Sequence, residues 1–365
     1  MSTSPPRIAF AIETTLGNAV FLQNLKSAMA WRTDITPVWL PIDEHADDVW
    51  EHLPLVRSRL SLRGGLRTRA ALRRAVAQAP VRAAVVHTQR MAHLAHDFMS
   101  RVPSVISTDA TPSGLEDYLR YYGLRSQHAG WVGRAKNALH RRTYAVAKGM
   151  LSFSEFTKRS LVKEYGVPDT RVHVVWPSVD TGLWCPSPER KPRDGVVRLL
   201  FVGGDLGRKG GELLLRWARE TCLRGWQLDL VTSTSFEAPP RVRIHVGLQP
   251  NSPELIGLAQ AADLFVLPTM ADMSSWAIAE AKAAGLAVVT TPTGGVGELV
   301  RDGVDGRLVP VGDYAALART LDALVASPDT LHAMGREARR MAEERMDLRT
   351  TCDRMIAFIR GVTGV

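Results

Sequence analysis

TMADMSSWAIAEAKAAGLAVVTTPTGGVGELV, residues 269–300, is the stretch that decides the architecture. It follows an apolar run, Asp263 to Pro268, with the composition of a buried strand. A short polar loop comes next, then a helix predicted from about Ser275 to Ala284 that stops at Gly285. Ala287 to Thr291 reads as a second buried strand, after which the pair Gly294-Gly295 opens a further helix. Such a strand–loop–helix–strand unit sets a helix N-terminus and two acids, Asp272 and Glu280, at the carboxyl edge of a parallel sheet. That edge is where α/β proteins bind ligands.

The same alternation runs outward in both directions. Upstream in the second half, Val197 to Val202 is a strand that enters a glycine-rich loop, Gly203 to Gly211. Strands at Gln227–Val231 and Val242–Val246 follow, and Ser252 is placed to cap a helix through Ala262. Downstream, Asp302 to Gly306 is a turn before Arg307 to Pro310, and helices fill the chain from Tyr314 onward.

The first half reads in the same way. Strands are predicted at Arg7–Glu13, Ile35–Ile42, Ala83–His87, Ser104–Ser107, Met150–Phe153 and Arg171–Val175. Helices between them include Ala19–Ala30, Leu66–Ala79, Ala92–Ser100, the basic Arg134–Lys148, and Thr157–Tyr165 capped by Ser154. Asp43 to Glu51 is a loop or a short helix, and Tyr118 to Gly133 is aromatic and irregular. The Pro- and charge-rich segment Pro186 to Asp194 is the expected linker. Strands alternating with helices imply parallel sheets with right-handed crossovers. The expected fold is therefore α/β, with two facing Rossmann-like domains and a cleft between them.

Length and composition agree with this. A chain of 365 residues with 45 % hydrophobic content can bury two cores. The start, MSTSPPRIAFAIE, has no basic segment leading into a long apolar one, so no signal peptide is expected, and no run is long and apolar enough to span a bilayer. Cys185, Cys222 and Cys352 are far apart and form no CxxC pair, which argues against a disulfide framework or a zinc site. These features make the cytoplasm the expected location. Residues 1–185 hold 24 Lys/Arg against 15 Asp/Glu, whereas residues 186–365 hold 22 of each. The excess is densest from Leu53 to Lys148, with 17 basic residues and 4 acids. It is either a solvated arginine-rich surface or a face for an anionic partner: a lipid headgroup surface, a phosphorylated acceptor or nucleic acid. The Arg57 to Arg90 stretch has no interleaved aromatics, which counts against nucleic acid.

Two motifs carry chemistry. In the loop Gly203-Gly204-Asp205-Leu206-Gly207-Arg208-Lys209-Gly210-Gly211, glycines let backbone N–H groups approach a ligand, Arg208 and Lys209 add two cations, and a helix start adds its positive end. Together these suit a diphosphate, although the loop is neither GxxxxGK[ST] nor GxGxxG. It also reads as a flexible turn with exposed basic residues. In the second motif, Ser274 or Ser275 can cap the helix, and Glu280 lies about one and a half turns inside it, pointing back towards its start. A carboxylate there can accept two hydroxyls of a ribose diol, and Asp272 can reach a second hydroxylated ring. Taken singly, each is also an ordinary helix or loop acid.

Together the motifs resemble the donor-binding domain of GT-B glycosyltransferases of the family 4 type. The resemblance covers FVGGDLGRKGGELLL, ADLFVLPT, the acid-x7-acid element Asp272 to Glu280, and EAKAAGLAVVTTPTGGVGELVRDGVDGRLVPVGD. SFSEFTKRSLVKEYGVPDTRVHVVWPSVD is similar to the segment that leads into the family's hinge. The resemblance implies an N-terminal acceptor domain (1–184), a nucleotide-sugar domain (185–347) and a last helix (348–365) that returns to the first. It implies a retaining transfer of a sugar from a nucleotide diphosphate to a hydroxyl acceptor, with no essential metal or other cofactor. Cell-envelope polysaccharide or glycolipid synthesis is the implied setting, with the acceptor lipid-linked or anionic and the enzyme at the inner face of the membrane.

Site roles follow residue by residue. Lys209 neutralises the diphosphate with Arg208 beside it, Gly203 and Gly204 line it, and Glu280 holds the ribose. Asp272 holds donor-sugar hydroxyls near the reacting carbon, and the Met273, Ser274, Ser275 and Trp276 amides take sugar and phosphate oxygens. Lys209, Asp272 and Asp109 are the implied catalytic groups, and Gly17, Asn18, Asp109 and Thr111 the acceptor contacts. The chain departs from the pattern in four places. Asp272 stands for the usual glutamate, about 1.5 Å shorter. Ser274-Ser275 replaces Phe-Gly, Gly204 stands where an arginine is common, and Asp109 lies in a loop where many relatives carry histidine. Asp109 also fits a cap for the turn before Pro112, and His87 fits a packed structural residue. A non-catalytic nucleotide-sugar binder and a two-domain nucleotide-sugar epimerase are the alternatives.

Overall fold

Short runs such as IAFAI and LFVL are apolar on both faces, which suits strands covered by helices on either side of a parallel sheet. The structure, a computed structural model, describes residues 4–365 apart from 16, 44, 51, 53–59, 125, 127–129 and 188–194. It divides into two units. The first is 1–116, 125–176 and 348–365; the second is 117–124 and 177–347. The division after Trp176 comes before the expected boundary at 184, and the segment 117–124 goes with the second unit. Residues 188–194 of the expected linker lie outside the described residues, as do residues 44 and 51 of the acidic patch.

The first unit holds β1 (Arg7–Glu13), β2 (Thr36–Ile42), β3 (Ala83–His87), β4 (Ser104–Thr108), β5 (Gly149–Ser152) and β6 (Val172–Val174). They form one parallel sheet in the order β2-β1-β3-β4-β5-β6. One layer of its core joins Ala9 and Ala11 to Leu72, Val86, Ile106, Tyr144 and Met150. The last helix, Leu348–Thr363, closes this unit: the Phe358 ring stacks on His173 at 5.1 Å, and Arg360 Nη2 donates to Asp34 O. Gly149 is the residue under Phe358, where a Cβ would meet the ring at 2.9 Å.

The second unit holds β7 (Val197–Val202), β8 (Trp226–Thr232), β9 (Val242–Val246), β10 (Leu264–Leu267), β11 (Ala287–Thr290) and β12 (Gly306–Leu308). Their order is β12-β11-β10-β7-β8-β9, again all parallel. Trp217 and Trp226 pack at 4.8 Å beneath it, and Trp217 Nε1 donates to Asp322 Oδ1. In each sheet the chain leaves the first strand in one direction and later returns to its other side. The reversals lie between β1 and β3 and between β7 and β10. The crevice at such a switch point, outside the carboxyl ends of the strands, is the expected ligand position.

Several elements differ from expectation. Ala92–Ser100 is two short helices, Gln89–Ala92 and His96–Met99, and the helix expected from Leu66 begins at Leu60. Gly294-Gly295 leads into a single 3₁₀ turn, Val296–Leu299, rather than a full helix.

Candidate functional site

Both motifs of the second half lie at the β7/β10 switch point. The glycine loop leaves β7, the acid loop leaves its neighbour β10, and their backbones are tied together. Met270 N–H and the Thr269 hydroxyl both donate to Arg208 O, at 2.8 Å and 3.2 Å. Gly210, at φ +77°, lets this happen: a Cβ there would lie 2.0 Å from Pro268 O. No other residue fits at that approach.

The side chains continue the junction. Lys209 Nζ is ion-paired with Asp272 Oδ2, so the lysine already holds the first acid of the acid-x7-acid element. Arg208 Nη1 donates to Ala271 O at 3.0 Å, and its Nε lies 3.3 Å from Asp205 Oδ2. Its guanidinium carbon stands 4.8 Å from the centre of the Tyr122 ring. The two cations therefore bridge the loops rather than project into solvent. Pattern and spacing gave no sign of these bridges, since their partners are more than sixty residues apart.

The helix of the second motif spans Trp276–Ala283, and Ser275 is its cap, its Oγ accepting from Ile278 N–H. Ser274 is half-buried, while Asp272, Met273 and Ser275 are buried. Glu280 is 7 % exposed, and among the described residues its carboxylate has no hydrogen bond or ion pair. Burial alone pushes its pKa up to about 7. The helix that carries it is anchored from its other face. Lys282 is fully buried, ion-paired to Asp305 at 3.0 Å and donating to Leu299 O at 2.7 Å. Its pKa is pushed down to about 8 by burial, against the pull of Asp305. Arg301 Nε shares Asp305 from the other side at 2.6 Å. The result is a fixed helix that carries a desolvated carboxylate and starts at the loop paired to Lys209.

The β1/β3 switch point of the first unit holds Asn18 and His87. His87 is fully buried; its Nε2 lies 2.9 Å from Asn18 Oδ1 and its Nδ1 2.9 Å from Ser107 Oγ. Nε2 therefore donates and Nδ1 accepts. Burial pushes the His87 pKa down to about 4, leaving the ring neutral at neutral pH. Glu13 ends β1 and is buried, with Arg90 Nη2 at 2.9 Å from its Oε1, to which Thr15 also donates. Glu13 and Arg90 escaped the sequence reading; the position of Glu13 as the last residue of a strand was the available signal. Gly17 begins the helix Gly17–Met29. Thr111 caps the helix Pro112–Leu115, its hydroxyl accepting from Gly114 N–H. Asp109 is half-buried, and its backbone oxygen accepts from the Thr157 hydroxyl. The structure thus gathers Lys209, Arg208 and Asp272 in one place and Asn18 and His87 in another. Among the described residues no group of three or more His, Cys, Asp or Glu is placed to hold a metal ion.

Two family models match the chain. Residues 35–183 match Glycosyltransferase Family 4, and residues 238–341 match Glycosyl transferases group 1; between them they cover more than two thirds of the sequence. A glycogen synthase of Mycobacterium tuberculosis is 26 % identical over 271 residues, covering 68 % of this chain and 61 % of that protein. The chain spans about half to three fifths of the length of the curated relatives it matches. Among solved structures, sucrose-phosphate synthase from Thermosynechococcus elongatus superposes with a TM-score of 0.77 at 17 % identity, over 98 % of this chain and 99 % of that one. HepE from Anabaena, solved in complex with UDP and glucose, gives 0.71 at 16 % identity, over 98 % and 100 %. The fold is that of these two-domain proteins, GT-B.

Proposed function

We propose a donor-dependent glycosyl transfer for this chain, which belongs to family 4 of the glycosyltransferases, the two-domain GT-B type. The donor in this reading is a nucleotide-diphosphate sugar held by the second unit, and the acceptor is a hydroxyl held by the first. The observation that carries it is Glu280: a buried carboxylate without a protein partner among the described residues, on a helix that starts at the loop paired to Lys209. A ribose diol supplies the two hydrogen-bond donors such a group lacks. HepE, solved with UDP and glucose, supports the ligand class.

Lys209, Arg208 and the amides at the start of the helix Trp276–Ala283 then stabilise the diphosphate as the bond between it and the sugar carbon breaks. Asp272, oriented by Lys209, takes a sugar hydroxyl. The acceptor oxygen attacks from the face the diphosphate leaves, a leaving-phosphate oxygen takes its proton, and configuration is retained. The roles of Gly203, Gly204, Met273, Ser274, Ser275 and Trp276 follow from their place in these two loops. Asn18, Gly17 and Asp109 line the acceptor side, with His87 fixing Asn18, while Thr111, buried and bonded to Gly114 N–H and Ser160 Oγ, supports it from behind. A thermal-shift panel of UDP-, GDP- and ADP-sugars tests this, with wild type and Lys209→Ala. Stabilisation by one donor in wild type and its loss in the variant is expected; no stabilisation by any donor contradicts the donor assignment. Turnover with a bound donor separates an enzyme from a binder.

The helix Gly130–Val146 supports an acceptor at an anionic membrane surface, in glycolipid or envelope polysaccharide synthesis. It has no acidic residue; Trp131 is 75 % exposed, with Val132 and Leu139 also exposed, and Arg134, Lys136 and Arg142 exposed around them. Apolar anchors flanked by cations suit an interfacial helix. Among the described residues no helix is long and apolar enough to cross a membrane. Salt-sensitive co-sedimentation with anionic vesicles, weakened in Trp131→Ser, is expected; equal binding to neutral vesicles contradicts it.

A further inference from the structure

The segment 117–124 lies in sequence among elements of the first unit but packs as part of the second. It is mostly the 3₁₀ turns Glu116–Tyr122; Tyr122 meets the glycine loop at Arg208, and Tyr118 meets Gly294, in the turn that packs against the acid loop. Gly294 N–H donates to Tyr118 Oη at 3.1 Å. Gly294 itself is pressed on the acid loop: its φ is +49°, and a Cβ there would lie 2.6 Å from Asp272 O. Its neighbour Gly295 donates to Met273 O at 3.0 Å. The Tyr118 hydroxyl thus braces the turn that backs Asp272 and Met273. The Tyr122 ring faces the Arg208 guanidinium at 4.8 Å, while Nη1 of that arginine is held by Ala271 O. Ring and carbonyl together fix the plane and direction of a long side chain that would otherwise sample several rotamers.

We infer that Tyr118 and Tyr122 are positioning residues for the nucleotide-diphosphate donor, Tyr122 through its ring on Arg208 and Tyr118 through its hydroxyl on the Gly294 amide. The inference rests on the donor reading above. The two tyrosines use different parts of the side chain, and this separates them from a general packing role. A cation–π contact needs the aromatic face and survives loss of the phenolic oxygen. A hydrogen bond to a backbone amide does not.

The test measures dissociation constants of UDP-, GDP- and ADP-glucose by calorimetry for wild type, Tyr122→Phe, Tyr122→Leu, Tyr118→Phe and Tyr118→Leu, using the sugar nucleotide wild type binds most tightly. Tyr122→Leu is expected to weaken binding about fivefold and Tyr122→Phe to restore it. Tyr118→Phe and Tyr118→Leu are both expected to weaken it about fivefold. Each Phe variant removes one oxygen, so the contrast between them stands even if a Leu variant fails to fold. Weakened binding in Tyr122→Phe, or wild-type binding in Tyr118→Phe, overturns the inference and leaves the donor reading in place. Absence of binding by wild type to all three sugar nucleotides overturns both.

Discussion

The two sheets reverse direction at equivalent places, and the contents of the two crevices differ in kind. Between β1 and β3, polar groups are matched to one another: Asn18 to His87, His87 to Ser107, Glu13 to Arg90. Burial keeps His87 neutral. Among these described groups only Glu13 Oε2 is buried without a partner. Between β7 and β10 the groups are charged: Lys209 pairs with Asp272 and Arg208 reaches Ala271 O, while Glu280 is desolvated and has no donor among the described residues. A buried carboxylate of this sort costs folding free energy, and a sheet edge retains it only when the surrounding structure holds it in place. The buried Lys282–Asp305 pair does so from the same helix. The difference teaches that one edge is built to offer hydrogen bonds to a neutral polar group. On the proposed reading, the other is completed by a ligand that brings both negative charge and hydroxyl donors.

Six substitutions can break or sharpen that contrast. The largest expected effect is on the charged edge. Lys209→Ala strands Asp272, and donor affinity should fall at least about thirtyfold by calorimetry, whereas Asn18→Ala should leave donor affinity unchanged. Next is the anchor: Lys282→Ala leaves Asp305 short of one buried cation and should lower stability by about 3 kcal/mol in urea unfolding at neutral pH.

Glu280→Gln should act in the opposite direction. The folded carboxyl titrates at about 7 against an ordinary 4.5, so the unfolded chain releases its proton first. Stability from this group is complete below pH 4.5, declines as pH rises, and is fully lost above about 7. The variant should therefore be more stable than wild type by about 3 kcal/mol at pH 8, with the gap closing towards pH 4.5. His87 has the reverse sign. Its folded pKa near 4 lies below the ordinary 6.5, so its contribution is complete above 6.5 and is lost as pH falls towards 4. The smallest effect concerns caps. Ser275→Ala and Ser154→Ala should each cost about 1 kcal/mol, and only the former should also weaken the donor.

Much of this contrast is legible in the sequence. Alternating apolar runs gave nearly every strand, and Ser154, Ser252 and Ser275 announced their helices because an N-cap is a local hydrogen bond. The acid-x7-acid spacing located Glu280. What sequence could not show is long-range. The Lys209–Asp272 pair, the hold of Ala271 on Arg208 and the seating of Tyr118 on Gly294 all join residues whose proximity is made by the sheet order alone. Gly294-Gly295 is followed by the single turn Val296–Leu299, and Gly294 is packed hard on Asp272 O.

The central claim is that Glu280 awaits the donor's hydroxyls, and proton release on binding tests it most directly. Calorimetry at pH 7 in two buffers of different ionisation heat gives the number of protons exchanged when the best-bound sugar nucleotide is added. Hydroxyl donors stabilise the ionised carboxylate, so wild type should release about half a proton, since the free group is then about half protonated. Glu280→Gln should release none. Equal proton exchange in wild type and Glu280→Gln would contradict the account.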